Sequence, residues 1–141
     1  MAHPPLGRRV GTWSTAGALL VALLVRAVVK AIPLNRVHAI TTWLVNQSDR
    51  PATDRQVIRV LDALDAAGRW MPVRLACLER SLSGVLILAL CGRTVVWRTG
   101  VRTPPIAVHA WLVDTSGNPL GEPDSTFTYQ TLMTISHRSV T

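Results

Sequence analysis

The sequence predicts an α+β fold, helices first and a small antiparallel sheet last, and three observations carry this. Apolar residues recur at helical spacing through the first half of the chain. Beyond Cys91-Gly92 the pattern changes to β-branched and aromatic runs, TVVWRTGV, IAVHAWLVD and PLGE, with FTYQTLMTI as a final strand. These runs are bounded by turn formers, Pro104-Pro105 and Ser116-Gly117-Asn118. Helices grouped before strands, instead of alternating with them, are the α+β order.

In chain order, Met1 to Gly11 carries Pro4, Pro5, Gly7 and Gly11 and is expected to be poorly ordered. The apolar stretch from Ala16 to Val25 is about half the length of a membrane span, so a buried or membrane-surface helix is expected and membrane contact is not favoured. Arg8 and Arg9 precede that stretch, but no small-x-small cleavage site follows, which argues against a secretory signal. Arg26 and Lys30, four apart, fall on one helix face. Pro33 should end this helix, and Val37, Ile40, Trp43 and Leu44 then form one stripe of the next, with His38 beside it as a core or surface residue. Thr53 with Gln56 reads as a capping box, Val57, Val60, Leu61 and Leu64 as a buried stripe, and Gly68 as the stop. Trp70-Met71-Pro72 bends the chain into a fourth helix that opens at Cys77.

Composition narrows the class. The 141 residues suit a single domain, 1–141, with a helical part over 12–70 and a second part over 71–141. Charged residues are 16%, below the usual quarter, and the apolar fraction is 48%, which together point to a globular chain and not a disordered one. The net charge of +7 comes almost wholly from arginines scattered along the chain without a dense run, and there is no zinc-finger spacing or aromatic RNA-binding signature, so no nucleic-acid partner is expected. Cys77 and Cys91 lie too far apart along one helix to bridge, and two free thiols suit a cytoplasmic protein.

The order cysteine, histidine, acid in the second half is the set a thiolate enzyme needs. Cys77 sits at a helix start, where unpaired amides and the positive dipole end lower a thiol pKa. Cys91, at the other end, is expected to be structural. His109 shares a strand face with Trp111, itself expected to fill the core, and Val113. If Ser116-Gly117 is a two-residue turn, His109 pairs with Asp124 and Trp111 with Glu122, putting both acids on the histidine's face. A one-residue shift would remove them from it. Asp114, on the opposite face, is read as a turn residue.

CLERSL, GVRTPPIAVHAWLVD and PLGEPDSTFTYQTLMTI together resemble the transglutaminase-like B2 proteins of lasso-peptide biosynthesis, strongly over the second half and only by pattern over the helical first half. The resemblance implies a papain/transglutaminase-like core, residues 71–141 being the catalytic part. It further implies a cysteine endopeptidase that removes the leader from a ribosomally made precursor, with Cys77 as nucleophile and His109 as general base. Motif matching points to Glu122 as the orienting acid, while the turn geometry leans to Asp124. Arg80 belongs to the motif, with a structural role expected over substrate binding. No cofactor or metal is implied. The implied partners are the precursor peptide and a separate PqqD-like leader-binding protein of the B1 type docking on the 12–70 helices, with the macrolactam-forming cyclase as a further candidate. Two rivals stand beside this reading: a non-catalytic basic interaction module, and an acyltransferase that passes the same acyl group to an amine.

Overall fold

The computed structural model describes residues 15–69, 77–103, 106–114, 116–122 and 124–137. The expectations for Met1 to Gly11, for the bend at Trp70-Met71-Pro72 and for Pro104-Pro105 lie outside them. Four helices come first: α1 (Thr15–Ala31), α2 (Leu34–Val45), α3 (Asp54–Gly68) and α4 (Cys77–Leu90). Strands β1 (Val96–Arg102), β2 (Ala107–Val113), β3 (Pro119–Leu120) and β4 (Gln130–Ile135) follow, with a 3-10 turn over Asp124–Thr128 before β4. They form one antiparallel sheet in the order β3-β2-β1-β4.

Local chemistry explains the helix limits. Pro33 caps α2 in an extended conformation. Thr53 and Gln56 make the full capping box: the Gln56 amide donates to Thr53 Oγ1 at 3.2 Å and the Thr53 amide donates to Gln56 Oε1 at 2.9 Å. The stripe of α3 is buried as its spacing indicates, at Val57, Val60, Leu61 and Leu64. The stripe of α2 is turned from the expected one. Val37, Thr41 and Val45 are inside, whereas Ile40 and Trp43 are 43% and 61% exposed. Thr41 tolerates burial because its hydroxyl donates to the Val37 carbonyl at 2.8 Å, so the buried hydroxyl keeps a partner.

Helices α1, α3 and α4 pack on one another, and α4 lies against β2. The approach is close: a Cβ on Gly84 would stand 2.9 Å from Leu112 Cδ1, so any larger residue here would have to push the Leu112 methyl aside. Trp97 on β1 is fully buried and its indole N–H donates to Ser81 Oγ of α4 at 2.9 Å. This locks the helix that begins with Cys77 to the strand beside the one that carries His109. Across the other side of α4, Arg26 of α1 pairs with buried Glu79 at 3.2 Å. No helix among the described residues is long and apolar enough to cross a membrane.

Candidate active site

Cys77 is the first residue of α4, half-buried, and His109 is the third residue of β2. The packing of α4 on β2 brings the two side chains into hydrogen-bond contact. The amides of Ala110 and Leu78 also donate to the sulfur. Leu78 is in the first turn of α4, where backbone amides have no helical partner. Among the described residues β3 pairs with Leu112 and Val113 and stops short of Ala110, leaving that stretch of the β2 edge open. Cys77 is held below its ordinary 9.0, chiefly by the hydrogen bond from His109 and against burial, which pushes it up. His109 is raised to about 9 by the hydrogen bonds to Cys77 and Glu122. The pair therefore favours thiolate beside imidazolium.

His109 Nε2 bonds Glu122 Oε1, whose carboxylate is 4% exposed. With Nε2 engaged, Nδ1 is the ring nitrogen left for the sulfur. The other carboxylate oxygen, Glu122 Oε2, accepts from Arg80 Nη1 at 2.7 Å. Arg80 also forks onto Asp65 of α3, at 2.7 and 3.1 Å, and donates to the Gly121 carbonyl at 3.2 Å. Burial works against the arginine's charge and the two carboxylates outweigh it, so its pKa is raised. Thus α3, α4 and the segment after β3 all hold the acid that meets the histidine.

That arrangement corrects the expected hairpin. Pairing runs Leu112 to Leu120 and Val113 to Pro119, one residue off the register that would set His109 opposite Asp124. The turn is longer than two residues: the Asp114 amide donates to the Asn118 carbonyl, and the Asp114 carboxylate accepts from the Ser116 and Asn118 amides. Asp114 is therefore a turn residue, as its position suggested. Asp124 does not pair with β2; it begins the 3-10 turn. Glu122 still reaches His109 because β3 stops at Leu120 and Gly121 turns the chain at φ +63, a left-handed conformation that glycine adopts at no steric cost. Strand alternation no longer applies to the acid.

Two neighbours were not singled out from the sequence, Asp65 and Tyr129, and a third, His38, was read there as a core or surface residue. Asp65 sits among the polar residues of α3, where nothing distinguishes it from a solvated acid. Tyr129 closes on His109 from the end of the 3-10 turn, ring centres 5.3 Å apart, and Arg102 lies 4.8 Å over its ring. His38 of α2 lines the same cleft as Cys77 and tilts against Trp97 at 5.5 Å. Trp111 stacks on His109 at 5.5 Å and is buried, shielding the imidazole as core. Cys91 is buried at the far end of α4, away from this group. Among the described residues, no cluster of histidine, cysteine and acidic side chains could hold a metal ion.

A thiolate beside an imidazolium, with an acid fixing the ring, can attack a carbonyl and hand a proton to what leaves. No curated protein and no solved structure gave a significant match to the chain. The model of the transglutaminase-like superfamily matches residues 19–134, from within α1 to nearly the end of β4, and the chain belongs to that superfamily.

Proposed function

We propose that the protein is a cysteine endopeptidase that cuts the leader from a ribosomally synthesised lasso-peptide precursor. The observation that carries the protease part is the hydrogen-bonded series Cys77, His109, Glu122, built at a helix start inside a transglutaminase-like domain. The lasso-peptide part rests on the resemblance of CLERSL and GVRTPPIAVHAWLVD to the B2 proteins. In this reading the Cys77 thiolate attacks the scissile carbonyl, forming the C–S bond while the carbonyl oxygen takes the electron pair. Amides at the start of α4 face that oxygen. His109 protonates the amine as the C–N bond breaks. It then takes a proton from water, which displaces the thiolate and frees the acid.

The test is mass spectrometry of the precursor incubated with this protein and a PqqD-like leader-binding protein. Two fragments whose masses sum to precursor plus one water are expected. A fragment joined to an added amine makes the protein an acyltransferase, and an intact precursor overturns the reading.

The leader-binding partner is part of the proposal. What supports a docking surface on the helices is an apolar groove of about 300 Å³ between α1 and α2, walled by Leu24, Val28, Ile40, Trp43 and Leu44. Trp43→Glu, which puts a charge on this surface without touching the core, should weaken complex formation at least about tenfold by calorimetry, as loss of an aromatic anchor does. Unchanged affinity would move the interface elsewhere.

A further inference from the structure

The cleft that Cys77 and His109 open into has a wall that bond breaking does not use. Its volume is about 290 Å³, at the lower end of the roughly 300–1,000 Å³ typical of ligand pockets. It has room for one or two side chains. Leu34, Leu78, Trp97, Val108, Leu132 and Met133 make the wall, and His38 and Thr99 add polar groups besides the reactive pair. Among the described residues no Asp, Glu, Lys or Arg side chain lines it.

The backbone is arranged to build this wall. Strand alternation would send Leu132 and Met133 to opposite faces, yet both line the cleft. The β1–β4 register slips there: Thr99 pairs with Met133 and Gly100 with Thr131, leaving Leu132 as an extra residue. A bulge of this kind re-aims side chains and is common beside sites. Leu34, Val108 and Leu132 remain 56%, 65% and 64% exposed, so three large apolar side chains at the cleft keep surface that an incoming chain would cover.

We propose that this cleft is a specificity pocket that takes a bulky apolar side chain, from leucine to phenylalanine in size, flanking the bond presented to Cys77. The proposal rests on Cys77 being the nucleophile. A leucine or phenylalanine there leaves water for an apolar wall, whereas a carboxylate would lose its hydration with no Lys or Arg among the described lining residues to pair with it and His109 already engaged by Cys77 and Glu122.

Peptidyl chloromethyl ketones carrying Phe, Leu, Gly or Asp next to the reactive carbon test this on the full chain, each Cys77 labelling rate being divided by that of iodoacetamide. Phe and Leu should exceed Gly by about 10–100-fold, with Asp at or below Gly. Leu132→Lys should lower the Phe-to-Asp ratio at least about tenfold, since a cation then faces the carboxylate. That ratio is internal to each variant and independent of how much of it folds. Equal rates across the series, or an unchanged ratio in Leu132→Lys, overturn the pocket and leave the nucleophile in place. Iodoacetamide labelling Cys77 no faster than Cys91 overturns the nucleophile, and the pocket with it.

Discussion

Precursor cleavage should disappear in Cys77→Ala, persist in Cys91→Ala, and fall roughly 10²–10⁴-fold in Glu122→Gln, the range for losing the group that orients a catalytic histidine. Glutamine keeps the shape of Glu122 but offers His109 Nε2 no charge, so the imidazolium loses a partner that now raises its pKa. Asp124→Asn should leave turnover within a few-fold, because Glu122 already engages His109 Nε2. The pH profile separates orientation from mere folding. In the wild type the rate should rise as Cys77 ionises below the ordinary thiol value of 9.0, and fall as His109 loses its proton near 9. In Glu122→Gln the basic limb should move to lower pH. A basic limb that stays near 9 would show that Glu122 does not act through His109.

The same shifts set a stability dependence. His109 is raised above its ordinary 6.5, so its contribution is fully present below about that pH and is lost as pH rises through about 9. Cys77 is depressed, so its contribution is present above 9.0 and is lost as pH falls through the lowered value.

The helices and the placements of Cys77 and His109 were legible in the sequence for local reasons. Pro33, the Thr53–Gln56 box and the α3 stripe are short-range signals that the fold keeps. Cys77 at a helix start and His109 in a strand likewise needed only their own segments to be read correctly. The acid depended on a register, and a register is a property of two strands and a turn. Ser116-Gly117 looks like a two-residue turn, but Asp114 accepting the Ser116 and Asn118 amides favours a longer loop. Period-two reasoning also assumes that the strand continues, and β3 is only two residues long. The α2 stripe failed for a different reason: an apolar residue at the right spacing can remain on the surface, and Trp43 does.

Arg80→Met should destabilise the fold by about 3–5 kcal/mol, the cost of removing one partner from a buried ion pair. The carboxylate of Glu122 is 4% exposed and Arg80 is its cation at 2.7 Å. Without the guanidinium that charge stays in the interior with His109 and the Thr126 hydroxyl, at 3.4 Å, to answer it. Asp65 contributes far less, since its carboxylate is 47% exposed and water can replace the arginine there. Thermal denaturation at neutral pH reads the effect, roughly a 10 °C fall in Tm for a domain of this size. The decisive comparison is a double-mutant cycle with Glu122→Gln. If the loss comes from a stranded carboxylate, Arg80→Met in the Glu122→Gln background should cost at least about 2 kcal/mol less than in the wild type, because no buried anion remains. Equal costs in the two backgrounds would mean that Arg80 stabilises through its packing and its bonds to Asp65 and the Gly121 carbonyl. The motif arginine would then be a brace between α3 and α4 with no hold on the acid. The cycle thus decides whether the charge that orients His109 is itself held in place by Arg80, or only lies beside it.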